Sequence, residues 1–272
     1  MKITAIVNTH SVPDITLDTV DSIRTYMTDR ILVVVDGVAW DTFTGINLPA
    51  YKLKGFNHNW YKSPYRNIFL GLLTAATHWT DTDWFCYLEY DCLVGSSSFK
   101  KDLEGAEKEN IWCLGNDYRD KQTVDLSFLE KIVQGKFEEV VYLLGACVFY
   151  HKDFINAALE QELFQRFLFY TNPFQKGFFP FYDAWDLTEH ALPTIVKHFG
   201  GKISQLATYN QMTGMWAGNY RKYPIRMQPE LTYEEQHFLQ ASIMHPLKTL
   251  DHPIRKYHRA KRTMRGQTTH ER

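Results

Sequence analysis

Glu89 and Asp91 stand either side of Tyr90, directly after the apolar run at residues 84–88. In an extended chain, residues two apart point the same way, so this spacing lets two carboxylates address one hard cation such as Mg2+ or Mn2+. The same pair would also serve simply to solvate a strand end. Three further polar groups follow apolar runs: Thr9-His10-Ser11, Asp36, and Asn116-Asp117. In open α/β sheets ligands bind beyond the carboxyl ends of the strands, which makes these the first positions to consider for binding. Neither a G-x-G-x-x-G after the first run nor a G-x-x-x-x-G-K-[ST] occurs, so phosphate neutralisation must come from elsewhere. A divalent cation on Asp91 would provide it. Arg66 and Asn67, in the first turn of a helix opened by Ser63-Pro64, would add a guanidinium and an amide. A second acidic group, Asp183, Asp186 and Glu189, offers candidate bases for a hydroxyl proton, or carboxylates placed at a helix N-terminus by the macrodipole. Residues 186 and 189 share a helical face, with 183 at or before the cap.

The elements that must position these groups alternate along the first half. Residues 3–7 and 30–35 are short, β-branched and apolar, and the second run needs cover on both faces. Between them, Leu17, Val20, Ile23 and Met27 have helical spacing after polar capping groups at 11–14. The Pro64 helix carries Ile68, Phe69, Leu72, Leu73 and Ala76. Residues 84–88, 110–114 and 140–150 read as further strands, with a helix at 125–134 stopped by Gly135. Beyond residue 150 the pattern turns helical and aromatic, and Thr232-Tyr-Glu-Glu235 is a capping box. The expected fold is α/β, a mostly parallel central sheet with helices on both faces and a helical, basic C-terminal extension.

Composition bounds the remainder. The chain has 272 residues, 44% hydrophobic and 22% charged, which excludes intrinsic disorder. A formal net charge of −1 argues against a dedicated nucleic-acid partner. The four cysteines, Cys86, Cys92, Cys113 and Cys147, have no C-x-x-C spacing and read as reduced core residues of a cytoplasmic protein. No run reaches the roughly 18 apolar residues of a membrane span. Residues 252–262 are strongly basic: they could close over a bound diphosphate, touch an anionic membrane surface, bind nucleic acid, or remain a solvated, partly ordered end.

In the order of these pieces the chain resembles a GT-A nucleotide-sugar glycosyltransferase, similar to the family-2-like enzymes, over residues 1–250. The resemblance rests on residues 3–7 with Asn8-Thr9-His10, the run ending in Asp36, Tyr65-Arg66-Asn67-x-x-x-x-Gly71, Glu89-Tyr90-Asp91 in place of a D-x-D motif, Gly145-Ala146, and a late His245. It implies one catalytic domain, with residues 1–115 binding a nucleotide-sugar, residues 116–250 binding the acceptor, and 251–272 as a tail. It implies that Thr9 and His10 border the nucleobase and that Asp36 accepts N3–H of a uracil, suggesting UDP. Arg66 and Asn67 would lie near the ribose and diphosphate, with Lys248 also on the diphosphate. Asp91 and His245 would ligate Mn2+ or Mg2+, and Glu89 would face the ribose or the metal. By the register of the resembling enzymes against residues 198–203, Glu189 or Asp186 is the base. Aromatic residues, 15% of the chain, cluster near these positions. Tyr182, Trp185 and Trp216, with Asp117, are expected to bind the acceptor, a glycan or other hydroxyl compound. The competing readings are a nucleotidyltransferase and a non-catalytic carbohydrate- or partner-binding protein.

Overall fold

The apolar runs lie side by side as the centre of a seven-stranded sheet. In the computed structural model, which describes residues 1–10, 12–57, 64–172, 174, 185–206, 225, 230–231, 239 and 241–270, β1 (Ile3–Thr9) pairs in parallel with β2 (Ile31–Val35) and with β4 (Trp84–Glu89). The short β3 (Tyr51–Lys54) adds an edge beside β2. On the other side β7 (Val140–His151) runs antiparallel to both β4 and β6 (Ile111–Gln122), and β8 (Lys202–Gln205) pairs in parallel with β6. The order is β3-β2-β1-β4-β7-β6-β8, and only β7 is reversed. The expected mostly parallel α/β sheet is therefore present.

Because side chains alternate along a strand, each central strand feeds two cores. Ala5, Val7, Val33, Cys86 and Leu88 face one, covered by α1 (Pro13–Tyr26) and α4 (Lys100–Lys108); a short α2 (Trp40–Thr44) adds Phe43. Ile6, Leu32, Val34, Phe85 and Tyr87 face the other. That side is covered by α3 (Pro64–His78), α5 (Ser127–Val133), α6 (Lys152–Glu160), α7 (Leu163–Tyr170) and α8 (Trp185–His198). Gly71 allows the close approach of α3: a Cβ there would lie 2.8 Å from Ile6 Cγ2. All four cysteines are free and buried.

Several local expectations are corrected. The N-cap of α1 is Val12, with no side-chain cap; Pro13 at the first turn starts the helix instead. Ser11, Ser63 and the 232–235 capping box lie outside the described residues. Helix α5 ends on Gln134, which is left-handed at φ 57°, while Gly135 is small because the His198 ring packs against it. Strand β6 continues past 114 to Gln122 as an irregular arm, with Asp117 and Lys121 at positive φ. The basic C-terminal segment is not a solvated end: α9 (Pro253–His270) packs on α1, burying Ile254, Arg255 and His258. A two-stranded sheet of β5 (Leu93–Val94) and β9 (Ile243–Met244) completes the framework. Among the described residues no helix is long and apolar enough to cross a membrane.

Candidate active site

Register brings the polar residues to one rim. Thr9 lies opposite Val35 and Asn8 opposite Glu89, so β1, β2 and β4 end level with one another. The backbone ties continue past the strands, Asp36 N–H donating to Thr9 O at 2.8 Å and Tyr90 N–H to Asn8 O at 3.0 Å. Glu89 and Asp91 do not converge by strand alternation, as extended spacing predicts. The strand stops at Glu89 and a tight turn follows, closed by Cys92 N–H on Glu89 O at 3.0 Å.

His245 reaches this turn through the small sheet. Leu93 pairs with Met244, and Leu247 N–H donates to Asp91 O at 3.0 Å, so residues 156 positions apart meet. His245 Nε2 lies 3.1 Å from Glu89 Oε2 and 3.1 Å from Asp91 Oδ1. Asp91 and His245 are each 3% exposed, whereas the Glu89 side chain is 37% exposed and opens the cluster to solvent. Burial opposes charge on the imidazole, but the hydrogen bonds and charges of Asp91 and Glu89 outweigh it and push His245 up to about 10. Burial likewise opposes ionisation of Asp91, and His245 overcomes it, holding that carboxyl below its ordinary value.

The donor set suits a divalent cation. One ligand atom from each of the three residues lies within 4.8 Å of the others. Asp91 Oδ1 is buried and faces the His245 ring nitrogen at 3.1 Å, so a cation between them would replace the proton they share. Two carboxylates and one imidazole are the hard-to-borderline ligands that Mn2+ or Mg2+ accepts.

The other predicted donor-side residues are variously committed. Thr9 is buried and its hydroxyl bonds Thr16 at 2.8 Å, so it supports α1. His10 is exposed, packed edge-on against Tyr90 at 4.7 Å. Asp36 is buried and accepts from Val38 N–H at 3.0 Å. Asn67 uses both ends of its amide on Phe56, accepting at 2.6 Å and donating at 3.1 Å, which pins the loop after β3. Arg66 is different. Its guanidinium lies 3.8 Å over the Phe56 ring and donates to Leu168 O at 3.2 Å, with no ion pair to a carboxylate among the described residues. Burial alone lowers it to about 10. Lys248 is exposed, three residues past His245.

Beyond the end of β4, the reversed β7 delivers a second group. Glu189 on α8 approaches Gly145 N–H at 3.5 Å and shares a hydrogen bond with Tyr142. Burial pushes Glu189 up to about 7; these two bonds oppose the rise, and the charges of Glu89 and Asp117 add to it. Asp117 is held by Arg119 in a two-pronged pair at 3.1 and 2.6 Å, and Arg119 in turn lies 4.6 Å over the Tyr142 ring. Trp185 and Asp186 open α8, but their side chains, like Asp183, Tyr182 and Trp216 altogether, lie outside the described residues. Tyr142 and Arg119 were missed by sequence reasoning. The only signal for them was a register one, since they face each other across β6 and β7.

No protein-family model and no curated sequence matches the chain. Among solved structures it is similar to a glycosyltransferase involved in the glycosylation of the major capsid of PBCV-1, at 12% identity and TM-score 0.45, covering 95% of this chain and 100% of that one. It is also similar to a cytidylyltransferase from Leptospira borgpetersenii serovar Hardjo-bovis, at 12% identity, TM-score 0.40 and 75% of each chain. S. aureus TarS 1-349 is similar at 14% identity and TM-score 0.35, over 61% of this chain and 55% of that one. Glycosyltransferases and cytidylyltransferases thus stand side by side among the solved structures that this chain is similar to.

Proposed function

We propose that the protein is a metal-dependent glycosyltransferase of the GT-A kind, moving a sugar from a UDP-sugar to a hydroxyl of a glycan or related acceptor in the cytoplasm. The observation that carries this reading is the meeting of Glu89, Asp91 and His245 at the rim of the sheet, beside a carboxyl group held near neutrality. Asp91, His245 and Glu89 would hold a divalent cation. When bound, that ion supplies positive charge to a leaving diphosphate.

The chain's own residues account for the remaining steps. Arg66, a buried cation without a carboxylate partner among the described residues, offers a further charge to phosphate. Glu189 takes the proton of the acceptor hydroxyl. A general base works best when its pKa lies near the working pH, and burial brings Glu189 there. The Gly145 N–H and the Tyr142 hydroxyl stabilise its ionised form and orient it. Asp117 stands near Glu189, and Tyr182, Trp185 and Trp216 are proposed to pack against the acceptor sugar.

The test is release of nucleotide from a panel of nucleotide-sugars with and without Mn2+. UDP release that requires both metal and acceptor is expected. If no nucleoside diphosphate raises the melting temperature in the presence of metal, the reading falls. Pyrophosphate release from a nucleoside triphosphate would mark nucleotidyl transfer instead.

A further inference from the structure

Three segments must be held together for the acidic turn and His245 to meet: α1, residues 89–92, and the stretch after β9. One side chain touches all three. Arg255, on α9, is fully buried. Its Nη1 donates to Asp18 Oδ2 at 2.6 Å and its Nη2 to Thr19 Oγ1 at 3.3 Å, both on α1. The same Nη2 donates to Cys92 O at 3.2 Å, and Nε donates to Leu247 O at 2.9 Å. Cys92 follows Asp91 directly, and Leu247 lies two residues after His245. Thr19 reinforces the turn from below, its hydroxyl lying 2.6 Å from Tyr90 O and 2.7 Å from Cys92 O. Asp18 also bonds Arg262, about two turns further along α9.

A buried ion pair is by itself a weak source of stability, because desolvation offsets most of its attraction. The directions of the other bonds say more. A guanidinium presents donors in a rigid planar fork, and here the prongs point to backbone carbonyls on the two chain segments that carry the cluster. A lysine could satisfy Asp18 but could not reach Cys92 O and Leu247 O together.

We propose that Arg255 is a positioning residue that sets the spacing between the Glu89–Asp91 turn and His245, and thereby the affinity of the cluster for a divalent cation. The proposal rests on the metal-site reading above. Its test therefore has one readout that needs no metal. In the full-length, metal-free protein, the amide of Leu247, which bonds Asp91 O, should exchange with solvent about tenfold faster in Arg255→Lys than in wild type, while core amides of β7 keep their rates. Mn2+ affinity, followed by the paramagnetic resonance of free Mn2+, should fall about tenfold, the scale of lost outer-shell support. Thr19→Val removes the hydroxyl without disturbing a charge and should act in the same direction by about threefold. It decides the matter if Arg255→Lys does not fold. Unchanged Leu247 exchange in the folded variants overturns the proposal. Faster exchange with undiminished Mn2+ affinity also overturns it, because Arg255 would then support only the fold. Should the wild type bind no Mn2+, the metal reading fails, and Leu247 exchange alone decides whether Arg255 sets the spacing.

Discussion

The rim of the sheet holds two carboxylate clusters with opposite electrostatic outcomes. At the end of β4, Glu89 and Asp91 share a buried imidazole, and the mutual attraction keeps Asp91 ionised and His245 protonated. Near the start of α8, Glu189 is buried among like charges, and the nearby cation, Arg119, is bound to Asp117 instead. The first arrangement holds two carboxylates on one imidazolium, and a cation bound there would take the place of the His245 proton. The second keeps one carboxyl near the point of half-ionisation, ready to accept a proton. Residue type does not separate these roles; the partner within hydrogen-bond reach does.

Removing the first cluster's buried ligand should have the largest effect. Asp91→Ala is expected to lower turnover on the order of 10³-fold, the scale of a lost electrostatic stabiliser, and to abolish metal-dependent nucleotide binding measured by calorimetry. Retained metal-dependent binding would break the contrast between the clusters. Glu189→Gln should lower kcat about 10²-fold while leaving nucleotide-sugar binding intact. Loss of donor binding in that variant would merge the two clusters into one. Alanine at Tyr182, Trp185 or Trp216 should raise the acceptor KM about tenfold, consistent with a lost ring contact, and leave donor binding unchanged. Smallest is Tyr142→Phe. The base works only when ionised, so the rate should rise with pH through an inflection near 7. Loss of the Tyr142 hydroxyl removes a bond to the charged form, and the inflection should move upward by a few tenths of a unit. A downward move would mean that the hydroxyl favours the neutral acid.

The central strands were legible because continuous apolar runs between helical patterns have few other uses in a folded chain. The strand-end carboxylates followed from the same logic. What brings them together was not legible. Strands β5 and β9 are two residues each, too short for any periodicity, yet they carry His245 to Asp91. The arm of β6 beyond Leu114 is polar and bulged, so it lacks the alternation that marks a strand, although it places Asp117 and Arg119. Edge strand β3 failed for brevity as well. Arg255 is one of many basic residues in its segment, and no spacing rule distinguishes the buried one from its exposed neighbours. Asn67 had the opposite fault: its polarity suggested a ligand, but its amide substitutes for a backbone pair with Phe56.

The grip of α9 on α1 joins residues 237 positions apart, and His245 meets Glu89 across 156. During synthesis, the strands of the main sheet are all made before either long-range tie can form. A growing chain could thus assemble its scaffold while the proposed cation site still lacks its histidine and the guanidinium behind it. Competence to bind a cation there would be acquired only once residues 245–255 have been made, and it would report that synthesis has reached α9 rather than that the sheet has folded.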